Sequence, residues 1–317
     1  MSGFLAKRCS SALITLLLLS IMVFFGGQVL PGNIGRSILG PLADAGAVDA
    51  LNHELGVDRP MLVQYWSWMS GVLHGDLGVS FIYRSPVSPF ILDALGKSLA
   101  LGLVAFVLVI PLALFGGVAS ALNVNRPIDR IISIAGLSAT VVPEFVSGII
   151  LILIFGVWLK WLPISAKWPD DAGLLVRLDH LILPSLPLVL ILFGYIARMA
   201  RAGTIAALNA DYTRTAILKG LPKSTVIWRH VLRNALLPTI SVIFTQLGYL
   251  IGGLVVVETV FNYRGIGALI FSAAKAKDFP MLAAGILVIG LTYIVANLVA
   301  DMLYAALNPR ISFGRRE

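Results

Sequence analysis

The residues best suited to binding chemistry form a cationic group between Asp211 and Pro238. The segment reads DYTRTAILKGLPKSTVIWRHVLRNALLP, and Arg198 and Arg201 lie just before it. Guanidinium and ammonium groups pair with carboxylates on a partner surface. Two apolar runs of membrane-spanning length flank the segment. It is therefore predicted either to be a solvated loop between spans or to dock a partner on one side of the membrane.

Residue groups that carry out covalent, redox or nucleotide chemistry are missing from the sequence. Cys9 is the single cysteine, so the chain closes no internal disulfide, and no His/Cys spacing typical of a metal site occurs. The phosphate-binding pattern G-x-x-x-x-G-K-S/T is also absent. The sequence thus predicts a non-catalytic chain that carries no metal and no cofactor of its own.

The composition indicates a membrane protein. Of 317 residues 58% are hydrophobic and 13% charged, and the mean hydropathy is +0.92, whereas soluble domains carry about 25% charged residues. We predict an all-α polytopic membrane protein with six transmembrane helices, each long enough to cross about 30 Å of hydrocarbon. The apolar runs are 11–30, 98–122, 131–158, 180–200, 235–258 and 281–306. Packing in a bundle tolerates prolines inside spans, among them Pro111, Pro143, Pro184 and Pro187.

The distribution of charge predicts the orientation. With six spans and a cytoplasmic N-terminus, the N-terminus, 123–130, 201–234 and the C-terminus share one side. That side holds 14 of the 24 Lys and Arg residues, with Arg198 counted there, and 4 of the 16 Asp and Glu residues. Cytoplasmic loops are enriched in cations, so both termini are predicted to be cytoplasmic. The net charge of +8 therefore reports orientation and does not indicate a nucleic-acid partner.

This topology divides the chain into three parts. Residues 1–97 hold the first transmembrane helix and an extracytoplasmic segment, 98–306 the transmembrane domain, and 307–317 a cytoplasmic tail. The extracytoplasmic segment contains the aromatic-rich stretch Pro60–Leu73. This stretch is predicted either to lie at the membrane interface as an amphipathic helix or to belong to a small packed subdomain.

The cytoplasmic insert 201–234 is predicted to form a helix, a glycine turn and a second helix. Ile205, Leu208, Tyr212, Ala216 and Leu218 are compatible with one helical face. Gly220 follows them where a helix C-cap is expected, and Pro222 suits the first turn of the next helix.

Asp211–Pro238 resembles the cytoplasmic signature loop of ABC importer permeases of the peptide/nickel branch. That branch has D-Y/F-x-R-T-A-x-x-K-G-L followed by R-H-x-L-R-N-A-x-x-P. The matching residues are Asp211, Tyr212, Arg214, Thr215, Ala216, Lys219, Gly220, Leu221, Arg229, His230, Leu232, Arg233, Asn234, Ala235 and Pro238. The family's more general Glu-Ala-Ala signature is replaced here by Arg-Thr-Ala.

The resemblance extends over nearly the whole chain. Leu30-Pro31-Gly32 is similar to the branch's L-P-G-D, with Asn33 in place of the acid. The other matching segments are Leu55–Gln64, Gly75–Gly78, His180–Leu186, Val257–Gly267 and Asp301–Arg310. Arg264 stands where proline is common, and Asn308 replaces an acid.

The resemblance implies a type I ABC importer permease fold in the cell inner membrane. It implies a second homologous permease subunit, two cytoplasmic ABC ATPase subunits that hold ATP and Mg, and an extracytoplasmic solute-binding protein. The helix around Asp211–Gly220 would be the coupling helix in a cleft of the ATPase. Arg214 and Lys219 would pair there with carboxylates, and Gly220 would let the two helices fold back closely. The residues expected to couple to the ATPase are Asp211, Tyr212, Arg214, Thr215, Ala216, Lys219, Gly220, Leu221, Arg229, His230, Arg233 and Asn234.

Three acids outside the insert have open interpretations. Glu144 lies within a predicted span beside Pro143, and an intramembrane carboxylate is a candidate for the translocation pathway. Its alternative role is to bond backbone groups freed by the proline. Glu258 and Asp278 bracket an outer loop and are predicted to be solvated charges, with contact to the binding protein as the alternative.

The predicted function is import of dipeptides or oligopeptides, and nickel chelates, glutathione or other peptide-like solutes are the alternatives within the branch. A secondary transporter or channel would carry several paired intramembrane charges. An intramembrane enzyme would carry paired catalytic residues. The predicted spans contain neither pattern.

Overall fold

A computed structural model describes residues 2–29, 33–40, 42–169 and 171–307. Within those residues the chain is helical, and the extended pairing is limited to an isolated antiparallel bridge between Val79 and Pro86. The all-α prediction is therefore confirmed. The match at Leu30-Pro31-Gly32 and the predicted tail from residue 308 onward lie outside the described residues.

The helices are numbered in chain order. The first five are α1 (Ser2–Val29), α2 (Ile34–Leu39), α3 (Ala45–Glu54), α4 (Met61–Leu73) and α5 (Ser88–Leu122). The next four are α6 (Pro127–Val141), α7 (Glu144–Leu151), α8 (Leu174–Leu208) and α9 (Asp211–Leu218). The last four are α10 (Lys223–Thr225), α11 (Leu232–Val260), α12 (Ile266–Ala276) and α13 (Phe279–Leu307). Two π-helical segments, Ile152–Trp158 and Val226–Val231, continue α7 and join α10 to α11.

Four helices are long and apolar enough to cross a membrane: α1 over Ser10–Gly27, α5, α8 and α13 over Phe279–Met302. α6 and α7, taken with the π-helical continuation of α7, meet the same criterion as a bent pair. The described residues thus contain four or five candidate spans. The predicted span 235–258 corresponds to the 29-residue α11, some of whose side chains lie outside the described residues. The count of six spans and the orientation stay predictions.

The predicted span 131–158 is not one continuous helix. α6 ends at Val141, α7 begins at Glu144, and the two are bent by 111°. Val142 between them is extended, with ψ 124°, because the ring of a following proline disfavours the α conformation. The other prolines within predicted spans lie inside continuous helices: Pro111, Pro184, Pro187 and Pro238.

The chain divides into two compact units, of which the first comprises Met1–Ser98 and Arg264–Thr292. In this unit α4 packs on α1 through Tyr65, which is buried against the ring of Phe24, with ring centroids 5.4 Å apart. The Tyr65 hydroxyl is also 3.0 Å from Ser20 Oγ. The neighbouring Trp66 packs edge-on against Tyr65, with ring centroids 5.7 Å apart, and is otherwise exposed. α4 therefore packs in part on α1, as the subdomain alternative predicts, and its placement at a membrane interface stays a prediction.

The second unit comprises Leu99–Tyr263 and Tyr293–Glu317 and is built around α8. Most of the middle of α8 is buried, including Leu183, Leu192 and Ile196. Small residues bring its backbone close to its neighbours. A Cβ atom added at Gly194 of α8 would lie 2.3 Å from the carbonyl oxygen of Gly136 in α6. α8 is thus the packed central helix of this unit, and its last turns belong to the insert 201–234.

Two acids predicted to be solvated are buried. In the first unit, Asp278 is 2% exposed and accepts hydrogen bonds from Ser80 Oγ and from Phe81 N, the latter at 3.1 Å. In the second unit, Glu258 is 0% exposed near the end of α11. The prediction failed because it assumed that helices end where the apolar runs end. α11 continues to Val260, past Glu258, and α13 begins at Phe279, directly after Asp278.

Candidate functional site

The insert after α8 is held by its own small core. α9 buries Thr213 and Ala216, and Ala216 packs in a cluster with Ala207 of α8. Thr213 Oγ1 donates a 2.7 Å hydrogen bond to the carbonyl oxygen of Ala207. Asp211 lies in the first turn of α9, where a carboxylate interacts favourably with the helix dipole. α9 is therefore fixed to the end of α8 by packing and by a buried hydrogen bond.

Gly220 ends α9 in a left-handed conformation, with φ +74°. Its N–H donates to the carbonyl oxygen of Ile217 at 2.9 Å, and the N–H of Leu221 donates to that of Ala216 at 3.4 Å. These two bonds form a Schellman motif, which satisfies the free carbonyls at a helix end. The predicted glycine turn between two helices is confirmed, whereas the single helix predicted before it is divided into the end of α8 and α9. The helices on either side of Gly220 fold back on each other, since Ala216 packs with Val226 and Val231.

The second helix of the insert does not stop before the next span. α10 begins at Lys223, and the helical path runs through the π-helical segment into α11 without a break. Val226 and Val231 are buried in the same core as Ala216, as is Ala235. The predicted boundary between insert and span at residue 234 is therefore not a structural boundary.

The outer side of α9 combines apolar and cationic side chains. Tyr212, Ile217 and Leu218 are exposed, Leu218 to 82%. The prediction of one helical face is wrong for Leu218, which lies two residues, and so about 200°, around α9 from the buried Ala216. We call the exposed set the docking surface: Tyr212, Arg214, Ile217, Leu218 and Lys219.

The residues expected to couple to a partner are mostly accessible. None of the cations among them has an ion-pair partner within the described part of the chain. His230 is half-buried and Ala216 is buried. The exposed ones are Asp211, Tyr212, Arg214, Thr215, Lys219, Gly220, Leu221, Arg229, Arg233 and Asn234. The structure brings them to one end of the second unit, and their contact with an ATPase stays a prediction.

Arg201 does not belong to this accessible group. Its Nε lies 2.7 Å from Asp129 Oδ1 and its Nη2 lies 2.8 Å from Asp129 Oδ2. Asp129 is 4% exposed. Such a two-point contact is the strongest form of arginine–carboxylate pairing. Arg201 was predicted to add to the cationic surface, but Asp129 neutralises its charge.

Three further donors surround the Asp129 carboxylate. Ser120 Oγ donates to Oδ1, the backbone N–H of Asn125 donates to Oδ2 at 2.9 Å, and Ser133 Oγ lies 3.3 Å from Oδ1. Sequence reasoning counted Asp129 only as a cytoplasmic charge. A signal was available in the sequence: Asp129 lies just before the predicted span 131–158, and Arg201 lies just after the predicted span 180–200.

Glu144 is half-buried at the start of α7, directly after the bend. Its carboxylate has no hydrogen-bond partner among the described residues. The alternative that it bonds the backbone freed by Pro143 is therefore not supported. Its own carbonyl oxygen accepts a 3.0 Å hydrogen bond from Ser147 Oγ, which tightens the first turn of α7.

Comparison with known proteins places this geometry in a family. The family described as binding-protein-dependent transport system inner membrane component matches residues 110–313, and its N-terminal companion matches residues 1–102. The chain belongs to this family. The permease is 36% identical over 315 residues to the glutathione transport system permease protein GsiC of Escherichia coli (strain K12) and of Shigella dysenteriae serotype 1 (strain Sd197). Those alignments cover 99% of the permease and 100% of each relative.

The family assignment establishes the general role. The chain is a multi-pass component of the inner membrane and a permease of an ABC import system. It is not itself the catalytic component of that system. A binding-protein-dependent system implies a solute-binding protein and ATPase partners.

Proposed function

We propose that the permease forms half of a translocation pathway for short peptides, together with a second homologous permease, two cytoplasmic ABC ATPases and an extracytoplasmic binding protein. The observation that carries this proposal is the docking surface, an exposed apolar and cationic patch on a helix that is firmly attached to α8. Apolar side chains without a partner mark interaction sites. ATP and Mg are held by the ATPases, and this chain carries no cofactor.

The proposed topology has six spans with both termini in the cytoplasm. The spans are α1, α5, the bent pair α6–α7, α8, α11 and α13. Charge asymmetry supports this orientation, in which 201–234 would lie on the side of the ATPases. The proposed division keeps 1–97 as the first span and extracytoplasmic segment, 98–306 as the transmembrane domain and 307–317 as a tail.

In the proposed mechanism, the docking surface inserts into a cleft of the ATPase. Ile217 and Leu218 bury apolar area, while Arg214 and Lys219 pair with carboxylates. Closure of the ATPases on ATP then moves α9 and the end of α8 as one body, and the spans pass from one access state to the other. Glu144, at the bend between α6 and α7, is proposed to face the pathway and the charged groups of the solute.

A single negative charge introduced into the docking surface tests whether it binds the ATPase. Leu218→Glu is expected to lower uptake and ATPase co-purification at least about tenfold, because it places an unpaired charge in an apolar interface. Leu175→Glu is the matched control, since Leu175 is also 82% exposed but lies at the other end of α8. Both variants are measured by pull-down of the ATPases from detergent-solubilised membranes. Normal co-purification of Leu218→Glu would remove the basis for the docking surface.

The substrate class is tested by direct transport. The permease, its partner subunits and its binding protein are reconstituted in proteoliposomes loaded with ATP. We expect uptake of labelled dipeptide or oligopeptide, and none when the ATPase cannot hydrolyse ATP. Uptake of glutathione alone would move the assignment to the solute named for the relatives from Escherichia coli and Shigella dysenteriae. Uptake of nickel chelates alone, or ATP-independent uptake, would contradict the peptide proposal.

A further inference from the structure

Two contacts between α6 and α8 lie at different positions along the helices. One is the ion pair between Asp129 and Arg201, and the other is the close backbone approach of Gly136 and Gly194. A cavity of about 280 Å³ lies between the two contacts and is lined by residues of both helices. Because Asp129 and Gly136 lie about two helical turns apart along α6, the two contacts together constrain the angle of α6 on α8. Without the ion pair, we expect α6 to rotate on α8 about the contact between Gly136 and Gly194.

The α8 end of this ion pair is connected to the docking surface. Arg201 lies about two helical turns before the end of α8 at Leu208. Beyond it, the bond from Thr213 Oγ1 to Ala207 O and the shared core hold α9 on the same helix. A displacement of α9 therefore moves the end of α8, and α8 is continuous from there back to Arg201.

The other end of the connection is the bend after α6. α6 has 15 residues and begins at Pro127, so Asp129 lies in its first turn and the bend at Val142 follows its last. Beyond the bend lies Glu144, the proposed pathway carboxylate. α6 is thus a short lever held at one end by the ion pair and hinged at the other.

We propose that Asp129 and Arg201 are positioning residues for transport: the pair transmits movement of the docking surface to the bend between α6 and α7. This inference rests on the proposed coupling role of α9. The contact is suited to transmission because it is bidentate and because Ser120 of α5 and the Asn125 backbone hold the carboxylate in place. Both partners are needed, since a single buried charge left without its counter-ion is strongly unfavourable.

The test measures solute transported per ATP hydrolysed by the complete complex in proteoliposomes. Asp129→Asn keeps the side-chain shape and loses the charge. We expect the transport-to-hydrolysis ratio to fall roughly tenfold, within the 5–150-fold range of typical coupling between sites. The ATPases are expected to remain bound. Arg201→Lys keeps the charge but loses the two-point geometry, and an intermediate ratio is expected.

A matched control and a double variant complete the test. Asp93→Asn removes the carboxylate of an exposed pair with Lys97 in α5 and is expected to leave the ratio unchanged. Asp129→Asn with Arg201→Gln is expected to be no worse than either change alone, because the two residues act as a unit.

A purely structural role would lower the yield of assembled complex and leave the transport-to-hydrolysis ratio at the wild-type value. That result in both Asp129→Asn and Arg201→Lys would overturn the proposal. A third outcome separates the two proposals. If Leu218→Glu lost the ATPases but Asp129→Asn kept the wild-type ratio, the docking surface would be supported and only the role of the ion pair would be overturned.

Discussion

Gly220→Val is expected to remove most ATP-driven uptake while leaving the permease in the membrane. Gly220 has φ +74°, and a β-branched residue is strongly disfavoured in that conformation. Backbone strain of this kind costs about 1–3 kcal/mol, which corresponds to roughly 5–150-fold in a coupled equilibrium. We expect the chain to relieve the strain by opening the Schellman turn, so that α9 loses its fixed position relative to the helix that begins at Lys223. Initial rates of uptake, normalised to permease in the membrane, measure the effect.

The matched substitution is Gly220→Asn. Asparagine tolerates the left-handed conformation, and an added side chain has space because nothing lies within 4 Å of the Cβ position. Uptake is therefore expected to decrease in the order Gly, Asn, Ala, Val. If asparagine proved as damaging as valine, side-chain size would be the cause and the role of φ at this position would be wrong.

Gly194→Ala is expected to destabilise the permease strongly, although it adds only one methyl group. The new Cβ would lie 2.3 Å from the carbonyl oxygen of Gly136, and backbone cannot rotate away as a side chain can. α6 and α8 must move apart, and overpacking of this kind costs about 1–3 kcal/mol, with larger values on occasion. The midpoint of thermal unfolding in detergent, followed by fluorescence-detected size exclusion, is expected to fall by several degrees.

Gly96→Ala is the control for this change. Gly96 also lies inside a helix, α5, but nothing lies within 4 Å of its Cβ position. Alanine there is expected to be neutral or stabilising by about 0.5–1 kcal/mol, because glycine is a poor helix former. Equal destabilisation by the two substitutions would contradict the close α6–α8 contact.

Local sequence patterns predicted the local features of the insert well. Gly220 lies directly after an apolar helical stretch and before Pro222, and this order is enough to predict a helix end and a new start. The length of each apolar run likewise predicts a helix, because hydrocarbon requires that backbone groups bond within the segment. These signals depend on neighbours in the chain and not on distant contacts.

The ion pair was missed because its two partners are distant in sequence. Arg201 is 72 positions away from Asp129, so charge counting treated both as solvent-facing. The bend was missed for another reason. Pro143 bends its span while Pro184 does not, so a proline in an apolar run is compatible with both conformations and its position alone does not decide between them.

The unbroken path from α10 into α11 has a consequence for how the complex is arranged around the bilayer. With spans at the predicted residues, α8 extends about 12 Å beyond its span and the helix from Lys223 about 18 Å before the next one, at 1.5 Å per residue. In the proposed topology these two extensions carry α9 beyond the ends of both spans. The docking surface would then meet the ATPase outside the hydrocarbon, and a fluorophore attached at the exposed Trp228 position is expected to report on the nucleotide state.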